Sequence, residues 1–251
     1  MVRRRLPVVG QIITAEARPS RQERRGRVFV AIYGTLVTLA VIGFAALIAL
    51  VREGGVVQTL DVPIARAIQG VHQPVYRWVL LHGSDLGWFP LNVVAYVVVF
   101  AVLFAVGLRL EAILAVASSL LAGLLGTGIR LAVARVRPSS ALIHVVAPVH
   151  AYGFPSGHVI QYTTLFGFTF WVIWRVWRNA WLRNLLLVAL ALLVAVVGPS
   201  RVYWGQHWPT DVVGAYLLAS LWVAGAIEVL LALKPHLGGW WAGRPYRQRW
   251  T

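Results

Sequence analysis

Long apolar runs dictate what this chain can become. A helix needs about 20 apolar residues to cross about 30 Å of hydrocarbon. Six stretches meet or nearly meet that length, at 28–51, 86–108, 110–134, 158–174, 185–197 and 212–233. The fifth is short unless it begins near Trp181. With 59% of the 251 residues apolar and only 12% charged, disorder, collagen, coiled coil and a solvated single-core enzyme are excluded. The expected fold class is all-α, a polytopic membrane protein with six transmembrane helices. Between runs one and two, residues 61–81 carry Val62, Ile64, Ala65, Ile68, Val71, Val75 and Leu80, interrupted by Pro63 and Pro74. That pattern reads as an interfacial amphipathic helix.

Charge fixes the orientation. The net charge is +15, from 23 basic and 8 acidic residues, and Lys234 is the single lysine. Eight arginines fall in residues 1–27 and four bases in 234–251, flanking apolar runs rather than forming a groove-reading helix or a base-stacking platform. Nucleic acid is therefore the weaker partner and the bilayer the stronger. With six spans, 16 of the bases fall on the side of the termini and seven on the other. The excess places both termini in the cytoplasm and the loops after spans one, three and five outside.

The organisation expected is an Arg-rich, disordered cytoplasmic tail over 1–27, a six-span domain over 28–233, and a basic cytoplasmic tail over 234–251. The first run exceeds the 7 to 15 residues of a signal-peptide core and reads as an uncleaved anchor. Trp78, Trp88, Trp174, Trp181, Trp204, Trp208, Trp240 and Trp241 lie near run ends, as in an interfacial belt. The absence of cysteine excludes disulfides, thiolate zinc sites and a cysteine nucleophile.

Three polar clusters fall on the outer side, where ionisable groups near the membrane are costly and tend to be functional. In the first, Arg130 and Arg137 are seven residues apart, on nearly one face of a helix that Pro138 should end at Arg137. Arg135, on another face, reads as a lipid headgroup contact. In the second, Ser156 is a plausible helix cap, Gly157 lets backbone approach an anion, and His158 falls in the first turn, placed to move a proton. In the third, Arg201 precedes His207, and Pro209 starts a helix that carries Asp211. That carboxylate can fix the imidazole tautomer and leave the other nitrogen free as a nucleophile; a merely structural pair has the same spacing. His144, His150 and Tyr152, in the long outer loop, rank below these residues as substrate contacts.

Together the clusters gather arginine forks, two imidazoles, a carboxylate and a helix start, a set suited to phosphoryl transfer. They resemble the signature motifs of the type 2 phosphatidic acid phosphatase family, which includes glucose-6-phosphatase and vanadium haloperoxidases. The family motifs K-x6-R-P, P-S-G-H and S-R-x5-H-x3-D correspond to 130–138, 155–158 and 200–211, within a similar region over 61–233. Arg130 stands where the family pattern has lysine, keeping the charge on a bulkier, forked group.

The resemblance implies that His207 attacks phosphorus to form a phosphohistidine, that Asp211 orients it, and that His158 protonates the leaving oxygen. Arg130, Arg137, Arg201, Ser156 and Gly157 would hold the phosphate, with no metal and no cofactor. The substrate implied is a phospholipid or prenyl diphosphate: undecaprenyl diphosphate first, phosphatidate or phosphatidylglycerophosphate next. A lipid phosphotransferase, an anion transporter and a His158–His207–Asp211 metal site are the competing readings. Three nearby arginines disfavour the last, and the absence of paired inverted repeats disfavours the transporter.

Overall fold

The computed structural model of the chain describes residues 21–238, with side chains for Val28 and from Val30 onward. Eight helices make up the described fold: α1 (Arg21–Glu53), α2 (Val62–Gln69), α3 (Pro74–His82), α4 (Leu91–Ala105), α5 (Arg109–Val133), α6 (Gly157–Val176), α7 (Ala180–Tyr203) and α8 (Pro209–Leu233). Most of the two basic tails, with Trp240 and Trp241, lies outside the described residues. The first helix already begins at Arg21, inside the segment expected to be a tail.

The interfacial segment is two short helices rather than one. Proline lacks an N–H and cannot sit in a helix interior, but it suits a first turn. Pro63 stands in the first turn of α2 and Pro74 opens α3, where the Gln73 side chain accepts the Tyr76 N–H at 2.5 Å.

Among the described residues, four helices are long and apolar enough to cross a membrane: α1 from Val30, α5, α7, and α8 extended to His236. A fifth crossing results if 74–87 and α4, which meet at a 70° bend, count as one span. The six spans expected from sequence are supported only to that extent. Helix α4 has 15 residues and begins at Leu91 rather than near Leu86, because Asp85–Gly87 forms a 3-10 turn.

Helix α6 is the centre of the bundle, packed against α5, α7 and α8. Its neighbours cover it, so it carries polar residues that lipid would reject. Thr164 donates to the Ile160 carbonyl at 2.7 Å and pairs with Ser119 of α5 at 2.8 Å, and Ser119 also meets the Tyr96 hydroxyl at 3.0 Å.

Helix α5 stops before its expected end at Arg137. Ala134 adopts the left-handed conformation (φ 52°) and its N–H bonds the Arg130 carbonyl at 2.9 Å. This closes the helix at Val133 without a glycine, at a cost of about 1–2 kcal/mol. Beyond it the chain alternates: Arg135 is buried, Val136 is 78% exposed, and Arg137 is half-buried. The loop then runs to Phe154, which is fully buried, stacks on Phe44 at 6.0 Å and leaves no room for a side chain on Gly214. That anchor fixes the start of α6 beside the start of α8.

Candidate active site

Arg130 and Arg137 do converge, but not along one helix face. Arg130 leaves the last turn of α5 and reaches the first residue of α6, where a Cβ on Gly157 would lie 2.9 Å from its Nη2. Arg137 reaches in from the irregular segment. Its Nε donates to the Ala151 carbonyl at 2.8 Å and its Nη1 to the Gln206 carbonyl at 2.5 Å, and the same Nη1 lies 3.2 Å from His207 Nε2. Burial, then the neighbouring Arg130 charge, draws the Arg137 guanidinium down to about 10 against an opposing pull from Asp211. It remains a cation at neutral pH.

His207 is 2% exposed in the connection between α7 and α8. The turn that delivers it passes through Gly205 at φ 67°, where any side chain would strike the His144 carbonyl. Trp208 is extended (ψ 151°) and Pro209 opens α8, as the sequence predicts. Asp211, in the first turn, accepts the Trp208 N–H on Oδ2 at 2.9 Å; the same oxygen is 3.6 Å from His207 Nδ1. That separation is an electrostatic pairing rather than a hydrogen bond.

Arginine can only donate, so the Arg137 contact calls for a lone pair on Nε2 and places the ring proton on Nδ1, toward Asp211. Burial draws His207 down to about 4, overcoming the opposing pull of Asp211 and aided by the Arg137 and Arg201 charges. The imidazole is therefore neutral at pH 7.

The start of α6 supplies the facing wall. Ser156 occupies the cap position and is fully buried, yet its side chain makes no capping bond; its N–H donates to the Asp211 carbonyl at 3.3 Å. His158 stands edge-on to Trp88, ring centroids 4.8 Å apart, and a Cβ on Gly87 would collide with its imidazole. Arg201, 1% exposed, donates from Nη1 to Ser84 Oγ at 2.8 Å and holds its guanidinium 5.0 Å from the centroid of Trp88.

Trp88, 39% exposed, thus lines the candidate site through these two contacts. Trp208 departs from the interfacial belt expected of it, being 2% exposed with its indole N–H on the Val136 carbonyl at 3.2 Å. Sequence reading missed Ser84 and Gly87 and named Trp88 only as a belt residue. The Asp85–Gly87 turn breaking an apolar run was their available signal.

Buried polar atoms without a hydrogen-bond partner among the described residues concentrate here: Arg130 Nε, Arg201 Nε, Ser156 Oγ and His158 Nε2. His158 lies within electrostatic reach of His207, Arg130, Arg137 and Arg201. Unpaired buried donors are costly, and an anion bound among them would satisfy several at once. A cavity of about 810 Å³ adjoins the group, lined in part by Arg130, Arg137, His150, Tyr152 and Gln206. His144 is instead tied through its backbone to Gln69, accepting from Nε2 at 2.7 Å.

Arg135 is not the headgroup contact its position suggests. It is 7% exposed and donates to Asp61 at 2.6 Å and to Asp211 at 2.5 Å.

Residues 111–234, which hold all three motifs, match the sequence profile of the PAP2 superfamily. The chain belongs to that superfamily. It is a PAP2-type phosphatase. Two solved structures share the fold. One is the first transmembrane PAP2-type phosphatidylglycerolphosphate phosphatase from Bacillus subtilis, 22% identical, with a TM-score of 0.68 over 78% of this chain and 96% of that one. The other is LpxE from Aquifex aeolicus, 18% identical, with a TM-score of 0.52 over 68% of this chain and 96% of that one. No curated protein sequence matches the chain.

Proposed function

We propose that this PAP2 phosphatase removes phosphate from a membrane lipid at the extracytoplasmic face through a phosphohistidine on His207. In this reading Nε2 of neutral His207 attacks phosphorus in line with the P–O bond to be broken, an anhydride in a prenyl diphosphate or an ester in phosphatidate and phosphatidylglycerophosphate. As the P–N bond forms, the P–O bond breaks and His158 gives its proton to the departing lipid oxygen. Water then attacks the phosphohistidine, His158 takes its proton, and the P–N bond breaks to release inorganic phosphate and neutral His207. Arg130, Arg137 and Arg201, with Ser156 and the Gly157 N–H at the head of α6, hold the phosphoryl oxygens and offset charge in the transition state. Asp211 keeps the His207 proton on Nδ1 and stabilises the ring as it becomes cationic.

The observation that carries this reading is the convergence of unpaired buried donors from α5, α6 and α7 with the Nε2 lone pair of His207. The chemistry asks for donors on phosphoryl oxygens and a lone pair on phosphorus. For the bilayer, the reading takes six crossings, with α4 and the covered α6 completing those that length and apolarity mark on their own. Both termini are then cytoplasmic, in keeping with the excess of bases on that side.

The lipid tail stays among the helices while the headgroup reaches the histidines. Undecaprenyl diphosphate is the first substrate proposed and phosphatidate or phosphatidylglycerophosphate the next; the Bacillus subtilis structure is named for the last of these. The test is phosphate release by purified protein in detergent from a panel of these lipids. One of them should turn over, and His207→Ala should reduce its rate to background. Equal rates for the two proteins would remove His207 as nucleophile.

A further inference from the structure

Asp61, Arg135 and Thr210 take no part in the steps above, yet they form a buried charged cluster directly behind the reacting residues. Asp61 is fully buried, Thr210 is 3% exposed and Arg135 is 7% exposed. Arg135 forks between two carboxylates that come from far apart in the chain. Its Nη1 donates to Asp211 Oδ1 at 2.5 Å and to Thr210 Oγ1 at 2.6 Å, and its Nη2 donates to Asp61 Oδ2 at 2.6 Å. Asp61 closes the ring by accepting the Thr210 N–H on Oδ1 at 2.9 Å, with the Thr210 hydroxyl donating to the same oxygen at 2.9 Å.

Fold stability is a poor reason to keep such a cluster. Desolvating three charges costs several kcal/mol each, and apolar replacements of similar volume are often as stable. What the fork does achieve is specific. It occupies Oδ1 of Asp211, so that Oδ2 is the oxygen left for the Trp208 N–H and for the face turned to His207 Nδ1. It also neutralises one of the two buried carboxylates, leaving Asp61, Arg135 and Asp211 together with a single negative charge.

We propose that Arg135, clamped by Asp61, is a positioning residue that sets the aim and the net charge of Asp211 and thereby keeps His207 neutral and its Nε2 available. This rests on the nucleophile role proposed for His207. The other charged and titratable groups facing that ring are Arg137 from the α5–α6 connection, Arg201 from α7 and His158 from α6. The Arg135 side chain donates to none of the three, its partners being Asp61, Thr210 and Asp211.

The sign of the effect follows from the charges. In the wild type, activity on the acid side should fall as pH drops through about 4, where His207 takes a proton and loses its lone pair. In Arg135→Gln two buried carboxylates face each other without a cation. The added negative charge beside His207 then makes the ring take up a proton more readily. That proton occupies the Nε2 lone pair, so the acid limb moves to higher pH. Removing one carboxylate in the double variant Asp61→Asn/Arg135→Gln returns the cluster to a single negative charge, and the limb should move back. Arg135→Lys keeps the charge but not the fork. The limb should hold while kcat falls, because one ammonium cannot fix both carboxylates.

The experiment measures the pH dependence of kcat/KM, together with kcat and KM, for dioctanoyl phosphatidate or whichever lipid of the panel turns over fastest. It uses full-length protein in detergent, and His207→Ala runs in the same assay. Arg135→Gln should lower kcat by on the order of 10- to 100-fold with little change in KM. Its acid limb should rise by about one pH unit or more, and the double variant should restore the limb.

A loss of activity with the limb unmoved in Arg135→Gln would assign Arg135 a packing role only and overturn the proposal. Should Arg135→Gln fail to fold, the double variant and Arg135→Lys decide: a wild-type limb in both supports charge balance, and a raised limb in either contradicts it. Full turnover in His207→Ala is a separate failure, of the nucleophile, and it takes the proposal down with it. An inactive His207→Ala beside an unmoved limb sinks the proposal alone.

Discussion

Helices α1 and α6 are both long enough to cross a bilayer, yet they are built on opposite rules. In α1 the described residues from Val30 onward are mostly apolar and mostly exposed, Leu36 being 61% exposed. In α6, Thr163, Thr164 and Thr169 are buried beside Tyr162, Phe166 and Phe168 because α5, α7 and α8 enclose the helix. Apolarity in a membrane chain therefore records contact with lipid rather than depth in the protein. Helices freed from lipid are the ones that can carry chemistry at their ends. Here α6 presents Gly157 and His158, whereas α1 contributes packing such as Phe44 against Phe154.

The sharpest way to break this comparison is to truncate one side chain on each helix. Phe168→Ala in α6, where the side chain is fully buried, should cost about 3–5 kcal/mol. Leu36→Ala in α1 should stay within about 0.5 kcal/mol. Thermal unfolding in detergent reads both, and equal losses would show that the exposure contrast has no energetic meaning. A smaller effect is expected from Gly87→Ala, whose methyl group would push the His158 ring off its seat against Trp88. A displacement near 1 Å costs on the order of 10²-fold in kcat, with the unfolding temperature nearly unchanged. Activity equal to wild type would mean that the ring is not held by this wall. The smallest effect concerns the end of α5. Ala134→Gly removes the left-handed penalty at φ 52° and should raise stability by about 1 kcal/mol. A loss of stability there would show that the methyl group packs.

The three motifs were legible in the sequence because their chemistry is local: a glycine at a helix head, a proline that opens a helix, a histidine four residues before a carboxylate. Pro209 and Asp211 stand where that reasoning places them. The path by which the arginines meet was not legible. Helical spacing predicts Arg130 and Arg137 on one face, but the unexpected left-handed residue at Ala134 ends the helix first, and Arg135 and Arg137 turn inward on either side of the exposed Val136.

Nor did the sequence reading find the partner of Asp61. A carboxylate among apolar residues near a membrane is a costly group, and that cost was the signal, but its cation, Arg135, lies 74 positions away. Of the six expected spans, four or five meet the measure of length and apolarity in the structure, for the reason that separates α1 from α6. The sequence marks apolar runs for the short, bent α4 and the covered α6, but neither helix alone is long and apolar enough to count.

The account depends most on a covalent bond between phosphorus and His207. Rapid quenching of the purified protein with a substrate carrying labelled phosphate measures it directly. The wild type should carry label that survives alkali and is lost in acid, as a phosphohistidine does, and His207→Ala should carry none. Equal label on the two proteins, or label stable to acid, would contradict the assignment.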